Sequence, residues 1–213
     1  MAITVTMATY YTYQGQRGNN GDLIAQTLKA ALMNGNHSFD QNKHKVFTAP
    51  HWTSGETVSL EDVRIPINPN GYAYLCASGE SFITGDTEPS WPTIFGNTVL
   101  DNNDILWECW SYEAAYNEIT SSGNYTQQEL VLSGENPVYG SDRSYVYFED
   151  VIFTASGEYY DLSKACVIYI DSTPHKTMIV NIDFGTLLSV TPEKDMTLKN
   201  PILERVAKET VTE

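Results

Sequence analysis

The sequence predicts an all-β fold. Short apolar and aromatic runs recur along the chain, and each is closed by a cluster of Asn, Asp, Gly or Pro. Tyrosine and β-branched residues, which suit a pleated and half-buried surface, fill those runs. Helix-favouring residues are prominent in one stretch, 22–35. The layout that these patterns predict is a β-sandwich with a smaller β module near residues 63–110.

The elements follow in order. Residues 1–14 read as a strand, and "GQRGNNG" (15–21) as a glycine-rich turn. That turn lacks the Gly-Lys-Ser/Thr ending of a phosphate loop. "DLIAQTLKAALMNG" (22–35) is ambiguous: its Ala, Leu, Lys and Gln residues favour a helix, yet "TLKAALM" also fits a buried strand. Residues 34–60 read as a polar loop with one short strand. From Val63 the strands come quickly: "VRIPI" before the turn "NPNG", then "YAYLCA", "NTVL", the turn "DNND" and "ILWECW". Further on, "ELVLSG" and "SYVYFEDVIFTA" read as strands. "ACVIYIDST" is apolar enough for a fully buried strand, and "TMIVNIDFG" alternates as a half-buried one. The short turn "STPHK" between those two predicts antiparallel pairing. "GTLLSVTPEKDMTLKN" adds two short strands, and 201–213 reads as a strand, a short helix or a tail.

"GDTEPSWP" (85–92) fits neither a helix interior nor a central strand. Its prolines remove backbone donors and hold their neighbours extended, so Trp91 sits on a stiff loop. Tyr72, Tyr74, Trp91, Trp107 and Trp110 crowd this part of the chain. A module this small needs large side chains for a core, which predicts that Tyr74, Trp91 and Trp107 form it. The competing reading is a ligand platform, with Trp91 or Tyr72 as a stacking face and Glu88 or Asp101 as hydroxyl acceptors. By strand alternation Tyr72, Tyr74 and Cys76 are expected to share one face, and Trp107 and Cys109 another.

Charge narrows the classes of partner. Twelve Lys and Arg face 27 Asp and Glu, a formal net charge of −15. Phosphate backbones and anionic membranes are repelled by such a balance, so neither nucleic acid nor membrane is expected as a partner. The N-terminal stretch has no basic start and no long apolar run, so no secretory signal or membrane span is expected. Cys76, Cys109 and Cys166 form no CxxC pair and read as buried thiols, with a Cys76–Cys109 disulfide as a lesser alternative. His37, His44, His51 and His175 show no HExxH or HxH spacing. No metal or other cofactor is expected, and His44 and His51, in a polar loop, are expected to be exposed. No GxSxG elbow is present. The pairs Asp101/Asp104 and Glu149/Asp150 nominate no catalytic dyad, and "DNND" reads as a turn rather than a calcium loop.

Residues 70–109, "NGYAYLCASGESFITGDTEPSWPTIFGNTVLDNNDILWEC", resemble a module that recurs in virion proteins of tailed phages and is described as carbohydrate-binding-like. The matching positions are Asn70, Gly71, Tyr72, Tyr74, Gly79, Thr87, Glu88, Pro89, Trp91, Pro92, Gly96, Val99, Asp101 and Trp107. "DNND" departs from the simpler Asp-Gly turn of that pattern. The flanks are similar to a phage structural β domain, through "TLKAALM", Val151–Ala155, Cys166–Tyr169 and Ile182–Gly185. The resemblance implies that 27–33 is a strand, against its propensity. It also implies a discontinuous, jelly-roll-like β-sandwich body, 1–62 and 111–213, into which the module 63–110 is inserted. The function it implies is non-enzymatic: a capsid decoration or cement protein, homo-oligomeric, bound to the major capsid protein or other virion proteins. Such a protein is made in the host cytoplasm and resides in the virion. The alternative is a tail, baseplate or fibre-associated protein whose module binds host glycans.

Overall fold

The computed structural model describes residues 3–5, 26–40, 42–78, 82–119, 125–134, 138–139, 143–155, 162–172, 174–192, 195–199 and 201–206. The fold is all-β: the described residues form seventeen strands and a single 3₁₀ turn, Ala114–Asn117. Most of the expected N-terminal strand, the glycine-rich turn at 15–21 and Gly79 lie outside the described residues.

The chain divides into two compact units. The first comprises 1–35, 119–168 and 180–213. In it, β2 (Leu28–Asn34) lies between β10 (Gln128–Glu129) and β14 (Ser163–Ile170), and β14 neighbours β15 (Lys176–Leu188). The β14–β15 connection is too short for a crossover, so these neighbours are antiparallel, as the sequence predicts. A second sheet orders β1 (Ile3–Val5), β16 (Met196–Leu198) and β13 (Val151–Phe153), with β1 parallel to β16. A third joins β11 (Val138–Tyr139), β12 (Arg143–Tyr147) and β17 (Ile202–Val206).

Strand β2 shows why propensity fails here. Ala30, Ala31, Leu32 and Met33 are consecutive, and each is fully buried. A strand covered on both faces accommodates such a run, whereas a surface helix buries only a stripe. Tertiary burial therefore overrides the helix formers. β14 follows the same rule, with Ala165 to Tyr169 all buried.

The second unit comprises Asn36–Glu118 and Tyr169–Ile179. Its four-stranded sheet has the order β5 (Val63–Arg64), β6 (Tyr72–Cys76), β9 (Leu106–Tyr112), β8 (Thr98–Leu100). β4 (Thr57–Val58) pairs with β7 (Phe82–Ile83), and β3 (Val46–Thr48) pairs with the start of β15. Both faces of the four-stranded sheet are packed. On one, Tyr74, Cys76, Trp107 and Cys109 join Trp52, Val58 and Ile105, with Tyr72, Phe82, Trp91 and Val99 against them. On the other, Val63 and Ala73 join Val46, Ala49 and Ile65, with Leu75 and Trp110 against them.

Two expectations are corrected by this packing. Tyr74 and Cys76 do not face away from Trp107 and Cys109. Tyr74 is opposite Cys109, and Cys76 opposite Trp107, and cross-strand partners point to the same side. A register shift at Ala73/Tyr74 leaves Trp110 as the extra residue on β9. All three cysteines are free, buried thiols, so the alternative Cys76–Cys109 disulfide is not formed.

Trp107 and Tyr74 head the largest fully buried side chains among the described residues. Trp107→Ala is expected to destabilise this unit by about 3–5 kcal/mol, a large share of the roughly 5–15 kcal/mol of a whole domain. Urea denaturation followed by near-UV circular dichroism checks this; an unchanged midpoint would show that the ring is not core.

Candidate functional site

The candidate site is the 85–92 loop with the residues that hold it. At its start, Gly85 N donates to Asp101 Oδ2 at 3.2 Å. Asp101 Oδ1 accepts from Asn103 N at 2.9 Å and Ile105 N at 3.1 Å. One buried carboxylate thus organises its own turn through Asn103 N and Ile105 N and ties it to the loop through Gly85 N. Asp104 supplies the positive φ, 61°, that closes this turn. Asn103 Nδ2 donates to the Ile83 carbonyl at 3.0 Å, a second tie on the same side. Asn102 lies so close to Gly85 that a Cβ there would collide with its side chain.

The middle of the loop is held by Glu88. Its Oε1 accepts from Ile67 N and from Trp91 Nε1, each at 2.8 Å. Pro89 lies between Glu88 and Trp91, and its fixed φ reduces the freedom lost in forming that short bridge. The indole then turns inward. Its ring centroid is 4.3 Å from that of Tyr74 and 5.8 Å from that of Trp107, the latter edge-on. Trp91 is half-buried, packed against the core cluster.

The end of the loop is held by Tyr74. Its hydroxyl donates to the Pro92 carbonyl at 2.9 Å and accepts from Asn70 Nδ2 at 2.8 Å. Asn70 Oδ1 accepts in turn from Tyr72 N at 3.1 Å, and Gly71 takes φ 85°. Burial pushes the Tyr74 hydroxyl up to about 12, opposed by the Asn70 hydrogen bond. It remains a donor at any physiological pH.

Tyr72 lies among other rings. It is 5.3 Å from Tyr112 and 5.9 Å from Phe95, and those two are 4.8 Å apart. The Lys43 ammonium stands 5.3 Å from the Phe95 centroid and 6.0 Å from that of Tyr112. Burial, then Tyr112 and Cys109, raise the Tyr72 hydroxyl, and Lys43 opposes them. Of the sequence-derived residues, Trp91 and Glu88 are bonded to each other, Asp101 reaches the loop at Gly85, and Tyr72 belongs to a separate aromatic group. Phe95, Tyr112 and Lys43 were not nominated by the sequence. Strict alternation along β9 would place Tyr112 on the face of Trp110, whereas the bulge at Trp110 sets it opposite Tyr72.

One of the two loop histidines differs from expectation. His51 is exposed, with Nδ1 2.7 Å from the Pro66 carbonyl. His44 is buried, not exposed, because aromatic rings surround it: Tyr112 at 4.9 Å, and Phe39 and His37 each at 5.5 Å. Its Nδ1 lies 3.0 Å from Asp40 N and 3.2 Å from the Asp40 carbonyl, so it meets a backbone donor when neutral and a backbone acceptor when it carries a proton. Burial, then His37, push the imidazole down to about 4, against Asp40. Burial also raises the Cys109 thiol to about 11, which keeps it protonated and unreactive. Glu149 and Asp150 lie in the link between β12 and β13, and both are exposed. Among the described residues, no three His, Cys, Asp or Glu side chains gather as a metal site would need.

No family model matches the chain, and no curated protein or solved structure is significantly similar to it.

Removing Glu88 strands two donors. Glu88→Ala is expected to lower stability by about 1–3 kcal/mol and to shift tryptophan emission to the red as Trp91 loosens. Glu88→Gln should recover most of this, since its carbonyl still accepts; equal loss in both variants would assign the effect to charge alone.

His44 sets an acid limit. Its folded pKa lies below the unfolded 6.5, so the unfolded chain binds the extra proton. The stability from neutral His44 is complete above pH 6.5 and falls as pH drops toward about 4, by up to roughly 3 kcal/mol. The difference in unfolding free energy between wild type and His44→Phe should therefore change across that window. A constant difference, or an NMR titration of His44 near 6.5, would show the ring to be solvated.

Proposed function

We propose that the chain is a non-enzymatic structural protein of a tailed-phage virion, a decoration or cement protein that binds the outer head shell. The observation that carries this reading is how the residues of the phage-module pattern are used. Asn70, Gly71, Tyr74, Glu88, Trp91, Pro92, Asp101 and Trp107 are joined by hydrogen bonds and ring packing into one rigid loop-on-sheet unit. The pattern is thus a folding pattern, and its presence supports membership in that group of modules more strongly than it supports any single ligand. The candidate acids are engaged in the same way: Glu88 and Asp101 accept backbone amides of their own module. A carboxylate held like this organises structure and is poorly placed for proton transfer. The acidic balance, −15, would keep closely packed copies soluble on a shell. Many copies would act through broad contacts with the major capsid protein and with one another.

A second reading is favoured by one feature. Tyr72, Phe95 and Tyr112 form a half-buried ring group beside an ion pair, Lys43–Asp40 at 3.5 Å. Half-exposed rings with polar groups at their rim suit a sugar, so a tail or fibre-associated protein with a glycan-binding module remains the alternative.

Electron microscopy of virions carrying a labelled copy of the protein separates these readings. Label over the head supports the shell reading. Label on the tail, with binding on a glycan array that Tyr112→Ala abolishes, supports the alternative. Virions without label would overturn both.

A further inference from the structure

The strongest unexplained group in the second unit is Glu113, at the end of β9. It is 5 % exposed. Its Oε1 accepts from Thr48 Oγ1 at 2.9 Å, while its equally buried Oε2 has no hydrogen-bond partner among the described residues. Every other carboxylate discussed above either reaches solvent or receives backbone amides.

Glu113 sits on a seam. Tyr112 N donates to the Lys43 carbonyl at 2.8 Å, and Lys45 N donates to Ser111 Oγ at 2.9 Å. Ser111 Oγ is also within reach of the Lys43 carbonyl, at 2.9 Å. Val46 bridges Glu113 in parallel, and Thr48 completes the row through the Glu113 side chain. The segment 43–48 is therefore fastened to 111–113 mainly by a row of polar contacts. On its other side, β3 meets β15, with Met178 N donating to the Lys45 carbonyl at 3.1 Å.

We propose that this seam is a pH-operated latch, closed while Glu113 keeps its proton and loosened when that proton leaves to water. A buried neutral carboxyl with one open oxygen is tolerable, because it forgoes a single hydrogen bond. A buried carboxylate with the same oxygen lacking a donor is far less so, since its desolvation is uncompensated. The open seam hydrates both oxygens and thus favours the ionised form.

The surrounding groups do not remove this bias. From β3, Thr48 favours the charged form through its hydrogen bond, and His51, in the segment after β3, favours it by charge. His51 is exposed and holds the Pro66 carbonyl, so its effect is weakened by water. Lys176 of β15 stands opposite Thr48, but its ammonium is paired with Asp171 at 2.7 Å. Tyr116 of the 3₁₀ turn packs its ring on Gly71. Burial outweighs Thr48 and His51, and the Glu113 carboxyl lies above its ordinary 4.5. A group with a raised folded pKa gives stability that is fully present below its unfolded value and is lost as pH rises through the folded one. His44, which packs on Tyr112 along the same seam, acts in the opposite sense on the acid side.

Native-state hydrogen exchange of the Lys45, Val46 and Tyr112 amides, read as protection factors, tests the latch in wild type and Glu113→Gln. The variant keeps an acceptor for Thr48 and cannot ionise. The wild-type to variant ratio of opening constants cancels His44. It is expected to rise with pH from about 4.5, by up to tenfold for each pH unit by which the closed seam raises the midpoint, and then to level off. A ratio that stays constant from pH 4.5 to 8 overturns the proposal. Should the variant fail to fold, carbon-13 titration of the Glu113 carboxyl in the wild type decides. A midpoint above 4.5 supports the latch, and one at or below it overturns it.

Discussion

The Tyr74 hydroxyl is the constraint on which the second unit depends. The residue is fully buried in the middle of the four-stranded sheet, so its polar tip must find partners inside the protein. It finds Asn70 on one side and the Pro92 carbonyl on the other. Those two partners fix the turn that leads into β6 and the end of the 85–92 loop. Once Pro92 is placed, Trp91 has little choice but to lie on the Tyr74 ring. With Trp91 placed, Glu88 can reach both the indole nitrogen and Ile67 N. A single buried phenol thereby orders a loop that has no regular secondary structure.

Acidic side chains do the corresponding work elsewhere in this unit. Asp101 collects three amides, and Glu56 pairs with both Nε and Nη2 of the buried Arg64, at 3.1 and 2.8 Å. Charge-assisted bonds of this kind hold short strands that could not be stable by themselves. β4, β5 and β7 are two residues each, and their ladders are too small to fix their own register. Glu113 breaks the pattern, because its second oxygen is buried without a donor, and that difference makes it a candidate for a switch rather than a strut.

Much of this was legible in the sequence, and the failures have physical causes. The strand-turn rhythm from Val63 to Trp110 could be read directly, because each turn is marked by Asn, Asp, Gly or Pro. The inward Trp91 was also legible, since a small module must use its large rings as core. Leu28–Asn34 was not legible from propensity, because the decisive fact, burial of both faces, is set by tertiary packing and not by the local residues. The shared face of Tyr74, Cys76, Trp107 and Cys109 depends on register, which a bulge sets and a single strand cannot announce. His44 was hidden in a polar stretch: the rings that bury it come from residues 37–39 and, more remotely, Tyr112.

The same packing determines where a ligand could bind on this module. Residues chosen for their chemical capability, Glu88, Asp101 and Trp91, turned out to be bound to the protein itself. A ligand that engaged Glu88 would have to compete with two hydrogen bonds and with the packing of an indole, and so would meet a large barrier of preorganised structure. A ligand that approached Tyr72, Phe95 and Tyr112 would, among the described residues, displace the Lys43 ammonium, whose partner Asp40 is itself substantially exposed. Displacing one solvated side chain takes far less free energy than dismantling the loop. If the module binds anything small, the aromatic group beside Lys43 is where the physical cost is lowest.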